Sequence, residues 1–197
     1  MVNYANTHFG LEKLRQQASV EGKEGPRVLV VGPENAGKTS LVKILTSYAT
    51  RIGRQPVVVN LDSREGMMSV PGSLSAAAFR SIVDVEEGWG SSPMSGPSPV
   101  PVKLPLVYYY GLPSPEGNSK MFKPVVTRLA LAVMSRLQED GEAREAGCLI
   151  DTPGIISQGK GGYDIIQHVV AEFSSMSSPT FAYRNALTGQ HRQSTYW

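Results

Sequence analysis

Lys38 and Thr39 close the stretch GPENAGKT, residues 32 to 39. Gly32 and Gly37 bracket four residues and are followed by a lysine and a hydroxyl, which is G-x-x-x-x-G-K-[ST] at every defined position. The chemistry served by this spacing is the holding of phosphates. A tight loop that opens a helix aims backbone N–H groups inward, and the helix dipole adds partial positive charge at the same place. Glu34, Asn35, Ala36, Gly37, Lys38, Thr39 and Ser40 would supply those main-chain donors. Glycine at 32 and 37 permits a backbone approach that a Cβ would obstruct. Lys38 is a flexible cation for the β and γ phosphates, and the Thr39 hydroxyl is a ligand for Mg²⁺.

Two aspartates compete for the metal side of such a site. Asp62 ends PVVVNLD and Asp151 ends the apolar run of GCLIDTPG. Ligands in open α/β sheets gather at the carboxyl ends of strands, so either residue could hold Mg²⁺ through water or accept a proton from an attacking hydroxyl. DTPG also fits the aspartate-glycine switch of a GTPase. No N-K-x-D segment occurs in the chain, so guanine recognition is not expected. Cys148 reads as a small core residue. His8, His168 and His191 show no metal-like pairing. Trp89 could anchor a base or close a loop. Tyr108, Tyr109 and Tyr110 alternate faces of a strand, which suits sheet packing.

The elements that must position these groups are legible from periodicity. Tyr4, Leu11, Leu14 and Ala18 predict a helix over 3–18, with 1–22 forming an N-terminal helix and connector. RVLVV is a short continuous apolar run, as expected for a strand buried on both faces. KTSLVKILTSYATRIG predicts a helix with Leu41, Ile44, Leu45, Tyr48 and Ile52 inward, stopped by Gly53. PVVVNLD completes a βαβ unit. Further strands are expected at LVYYYG and GCLID. Helices are expected at 125–140, with Val126, Leu129, Val133 and Leu137 inward, and at 162–173. The Pro-, Ser- and Gly-rich stretch 88–105 predicts a mobile loop. Together these give an α/β, P-loop NTPase architecture over 23–175, a mostly parallel sheet with helices on both faces. After the helix at 162–173 no strand pattern follows, so 176–197 reads as an irregular tail and the sheet as incomplete at its C-terminal side.

Composition sets outer bounds. With 197 residues, 41% of them hydrophobic, there is material for one sizeable core. The formal charge of +2 permits a nucleic-acid partner without arguing for one. A single cysteine excludes an internal disulfide and fits a reducing compartment. No apolar run approaches membrane-spanning length, and MVNYANTHFG is no secretory signal, so no membrane partner is expected.

Beyond the loop, GPENAGKTS, GRQPVVVNLDSREGMMSVPGSLSA, DVEEGWG, PLVYYYG and CLIDTPGIISQGKGGY follow one another in a characteristic order. That series resembles the polynucleotide 5′-hydroxyl-kinase family. Within it, the likeness is to the branch that serves as ATP-binding subunit of the pre-mRNA cleavage and polyadenylation factor, in a fungal-like form. It covers roughly residues 1 to 173, the central P-loop domain of a longer family pattern. The resemblance implies ATP and Mg²⁺ as cofactors, a nuclear location, and a large scaffold subunit of the cleavage factor as partner. Pre-mRNA would be met directly or through that complex. In active kinases of the family an aspartate in a D-x-x-Q segment, a T-x-G-W clasp and an arginine-bearing lid act beside the phosphate loop. Lys38, Thr39 and Asp62 match the first elements, Lys38 and Asp62 being the catalytic pair if transfer occurs. Glu65 stands where the glutamine would be. Thr152 and Gly154 match the clasp, but Ile155 replaces its aromatic, and the lid lies beyond the match. The resemblance therefore implies an ATP-Mg binder with weak or no phosphoryl transfer, acting mainly as a scaffold. An active RNA 5′-hydroxyl kinase and a non-functional truncated product are the alternatives.

Overall fold

Val28, Leu29, Val30 and Val31 are all buried, so the strand they form has no solvent face and must lie inside a sheet. In the computed structural model, which describes residues 2–83, 89, 105–155, 160–174, 180–184 and 195–196, this strand is β1 (Arg27–Val31). It lies between two others. The remaining strands are β2 (Val57–Asn60), β3 (Ser73–Ala78), β4 (Leu106–Tyr109), β5 (Cys148–Asp151), β6 (Thr180–Arg184) and β7 (Thr195–Tyr196). The sheet runs β4-β3-β2-β5-β1-β6-β7. β2, β5, β1 and β6 are mutually parallel, and β3, β4 and β7 are added antiparallel at the edges.

Strand side chains alternate between two cores. Leu29, Val31, Val57 and Val59 face one cluster with Val126, Leu129, Val133 and Leu137 of α3 (Ser119–Glu139) and Ile165, Val169 and Phe173 of α5 (Lys160–Phe173). Val28, Val30, Val58 and Leu149 face the other, with Leu41, Val42 and Leu45 of α2 (Lys38–Arg51) and Leu11 of α1 (Val2–Glu21). Helices thus cover both faces, as periodicity predicts. Each fully buried large apolar side chain contributes roughly 1.5–3 kcal/mol. A short α4 (Gly141–Ala146), which the sequence does not announce, leads into β5. Arg15 of α1 is buried and donates through Nε to Ala146 O at 2.9 Å, tying α1 to that junction.

Several expectations need correction. The inward face of α2 is Leu41, Val42, Leu45 and Ala49, while Ile52 is 51% exposed beyond the helix end. Helix α3 starts at Ser119, because the Asn118 side chain accepts from Met121 N at 3.1 Å and caps it. Pro124 is accommodated inside it. β3 was not legible at all. SLSAAA has no sustained apolar alternation, yet it pairs with β2 and β4 and is almost wholly buried between them. The tail is also corrected, since Thr180–Arg184 pairs in parallel register with Arg27–Val31. The open edge of β1 presents a row of N–H and C=O groups, and an extended segment satisfies them without any side-chain periodicity. The expected mobile loop at 88–105 lies outside the described residues apart from its ends. Trp89, which is described, packs edge-to-face on Phe79 at 5.3 Å. Among the described residues no helix is long and apolar enough to cross a membrane.

Candidate functional site

β1 delivers the chain to the loop at 32–37, and α2 begins at Lys38. Asn35 (φ 57°) and Gly37 (φ 74°) both take left-handed backbone, which turns the chain sharply enough to start the helix pointing back over the strand ends. Gly37 is the N-cap and contributes no capping side chain, so the first N–H groups of α2 remain available to an anion. Lys38 is nearly buried, and its Nζ donates to Pro33 O at 3.1 Å across the loop.

Thr39 Oγ1 donates to Asp151 Oδ2 at 2.6 Å. Of the two aspartates left open by the sequence, Asp151 is therefore the one joined to Thr39. It is 1% exposed, and its Oδ1 has no hydrogen-bond partner. A buried carboxylate oxygen with unused lone pairs, next to a hydroxyl, is a donor set of the hard-oxygen type that Mg²⁺ takes. These residues fit the implied metal.

Burial pushes the Asp151 carboxyl up to about 7, against the opposing pull of Thr39 and Lys38. The folded chain therefore holds a proton there between pH 3.8 and about 7 that the unfolded chain has released. Stability is full below that window and falls as pH rises through it. Wild-type chain without nucleotide should lose thermal stability from about pH 5 to about pH 8 relative to Asp151→Asn, the gap widening by several degrees. Parallel melting profiles for the two proteins would refute this.

Asp62 stands at the exit of β2 in a turn built by Asn60. Asp62 N donates to Asn60 Oδ1 at 3.0 Å, and Asn60 Nδ2 donates to the carbonyls of Asp62 and Glu65, both at 3.2 Å. Asp62 Oδ1 accepts from Arg64 N at 3.0 Å. Burial raises its carboxyl, opposed by that N–H and by Lys38. Asn60 was missed as a site-shaping residue, although an asparagine two positions before an aspartate is a recognisable turn signal. Across the mouth, Arg64 Nη2 meets Glu34 Oε1 at 2.9 Å.

The segment after β5 lies against the phosphate loop. Pro33 and Ile155 form an isolated antiparallel bridge. A Cβ on Gly154 would sit 2.6–2.7 Å from the Cγ, Cα and N of Glu34, so only glycine permits the approach. Thr152 is fully buried and its Oγ1 donates to Val30 O at 2.8 Å, joining the β5 exit to β1. Ile155 is 2% exposed and belongs to the α3–α5 core. Lys38, Asp62, Glu34, Asn35 and Gly154 thus line one cleft, together with Arg64, Glu65 and Ile155.

The other candidates stand apart from it. Cys148 is buried and its thiol is pushed up to about 12 by desolvation, which leaves it unreactive. His8 packs on Tyr48, and His168 Nε2 lies 3.3 Å from Thr127 Oγ1. His191 lies outside the described residues. Tyr110 is buried edge-to-face on Phe122 and donates its hydroxyl to Asn118 O at 3.1 Å.

Comparison with known proteins bears on this geometry. The model of a family described as mRNA cleavage and polyadenylation factor CLP1 P-loop matches residues 32–178. The mRNA cleavage and polyadenylation factor clp1 of Botryotinia fuckeliana (strain B05.10) is 73% identical over 174 residues, covering 88% of this chain and 38% of the relative. Its counterpart in Coccidioides immitis (strain RS) is 66% identical over 176 residues, covering 88% and 31%. The chain thus spans about a third of the length of the curated relatives it matches. Among solved structures, wild-type Clp1p in complex with Pcf11p superposes with a TM-score of 0.84 at 32% identity, covering 96% of this chain and 43% of that one. A second structure, of the extended Pcf11p–Clp1p interface and the basis for ATP loss in a glycine-to-arginine point mutant, gives 0.78 at 35%, covering 88% and 40%.

Proposed function

The chain belongs to the CLP1 P-loop family of mRNA cleavage and polyadenylation factors, and from that premise we propose that it is a Mg-ATP-binding subunit for pre-mRNA 3′-end processing, mainly structural, with weak or no phosphoryl transfer. The observation that carries this reading is a contrast within one cleft. The cradle is intact, with Lys38 across the loop and Thr39 bonded to a buried Asp151 that keeps one oxygen without a partner. Ile155, by contrast, stands where the family's aromatic would clasp the nucleotide; it reaches the cleft wall only as a small aliphatic group that is 2% exposed and packed into the core.

The N–H groups of residues 34–40 and Lys38 would hold the phosphates. Thr39 with Asp151, and Asp62 through water, would hold Mg²⁺. The metal supplies charge neutralisation on the phosphate oxygens when bound. Asp62 lines the same cleft as Lys38, and Gly154 keeps the β5 exit pressed on the loop. Transfer depends on positioning and charge stabilisation, and the loss of an arginine-type contact alone costs on the order of a thousand-fold. Phosphate holding by backbone N–H groups and Lys38 does not share that dependence.

The partner proposed is a large scaffold subunit of the cleavage factor, with Pcf11, the protein seen with Clp1p in the solved structures, as the first to try. Pre-mRNA would be reached directly or through that complex, in the nucleus. A kinase reading retains one supporting observation, the desolvated Asp62 in the same cleft as Lys38. Incubation with Mg-ATP and a 5′-hydroxyl RNA separates the two. Saturable ATP binding without RNA phosphorylation is expected. Robust transfer that disappears in Asp62→Asn would replace the scaffold reading with the kinase one.

A further inference from the structure

Glu34 places a carboxylate in the middle of a loop whose N–H groups, helix dipole and lysine otherwise attract anions. Its backbone is held in place, because the Gly154 backbone packs closely against Glu34. Left unpaired, that carboxylate would oppose an incoming polyphosphate. It is instead met by Arg64, which comes from the turn after β2 and whose backbone N–H is anchored on Asp62. Lys38 and Arg64 are the two cations among the described residues that line the cleft. Lys38 opens α2 and is 6% exposed, whereas Arg64 comes from the turn after β2 and keeps its side chain largely in solvent. The ion pair is solvated, with the side chain of Arg64 53% and that of Glu34 38% exposed. Exposed pairs hold weakly and exchange partners readily. A terminal phosphoryl group carries more charge than a carboxylate and accepts the guanidinium fork on two oxygens, so it outcompetes Glu34.

We infer that Arg64 distinguishes a nucleoside triphosphate from a diphosphate in this cleft, leaving Glu34 for the terminal phosphate when one is present; the inference rests on the nucleotide-binding reading above. Glu34 acts as the placeholder. It keeps the guanidinium at the mouth and imposes a small penalty that only a triphosphate offsets.

The experiment is calorimetric titration of Mg-ATP and Mg-ADP into the chain and its variants. Arg64→Ala should weaken ATP about tenfold and ADP by less than about twofold. Glu34→Gln should strengthen ATP about threefold, and that gain should vanish in the double variant. Equal losses for ATP and ADP in Arg64→Ala, or weaker ATP binding in Glu34→Gln, would overturn the inference and leave the nucleotide site standing. If the wild-type chain binds neither nucleotide, the site reading and this one fall together. Melting of the unliganded Arg64→Ala chain checks its fold. Should it melt early, Arg64→Lys takes its place, keeping the charge without the fork, and a preserved ATP-over-ADP preference there refutes the bidentate role.

Discussion

Replacing Lys38 with alanine is expected to weaken Mg-ATP binding by about a hundredfold while leaving the fold intact. Two separate facts lead to that split. In the folded chain Lys38 is 6% exposed, and its ammonium donates to the carbonyl of Pro33 five residues away, so it holds no distant element in place. The cores on either side of the sheet are made of Leu41, Val42, Leu45 and their partners, and none of those contacts passes through the ammonium. Against phosphates the same group is a desolvated cation at a helix N-terminus, where charge-assisted hydrogen bonds are worth roughly 1.5–3 kcal/mol each. Titration calorimetry of the wild-type chain and the variant, with thermal melts of both, checks the prediction. Equal ATP affinity would remove the phosphate cradle from consideration. Loss of cooperative melting in the variant would instead assign Lys38 to the fold.

Gly147→Ala should be among the most damaging single-methyl additions to this chain, costing about 3 kcal/mol or more and lowering Tm by about 10 °C. Gly147 has φ 72°, which an L side chain adopts only under strain, and a Cβ there would lie 2.1 Å from Pro26 O. Pro26 cannot withdraw cheaply. Its carbonyl accepts from Cys148 N at 3.1 Å, Gly25 N donates to Arg144 O at 2.8 Å, and Gly147 O accepts from Val57 N at 3.0 Å. Those bonds set β1, β5 and β2 in register at one end, and the same register delivers Asp151 to Thr39 at the other. Gly53→Ala is the matched control. It shares a positive φ of 80° but meets nothing within 4 Å, so it should cost only about 1 kcal/mol. If the two variants melt together, the steric account of Gly147 is wrong.

Much of the fold was legible because its central pieces are local. RVLVV and PVVVNLD read as buried strands since parallel strands covered on both faces need no polar alternation. Val126, Leu129, Val133 and Leu137 recur at helical spacing and do lie in the core. β3 and β6 were not legible for the opposite reason. Their pairing is carried by backbone groups, and SLSAAA and TFAYR carry no period that announces a partner. The start of α3 was missed because Pro124 suggests a boundary, whereas Asn118 supplies a stronger one.

At the cleft the division is sharper. The phosphate loop is contiguous, so residue types at fixed spacing along the chain determined its chemistry and its place between a strand and a helix. That two aspartates sit at strand exits was also legible, because both end apolar runs. Which of them meets Thr39 was not, since 112 residues separate Thr39 from Asp151 and only the parallel placement of β5 beside β1 joins them. The same holds for Arg64 against Glu34, Thr152 against Val30 and Gly154 against the loop. Sequence determines groups and their local geometry. The distances between groups far apart in the chain are decided by strand order and register, which long-range backbone pairing sets cooperatively across the whole sheet.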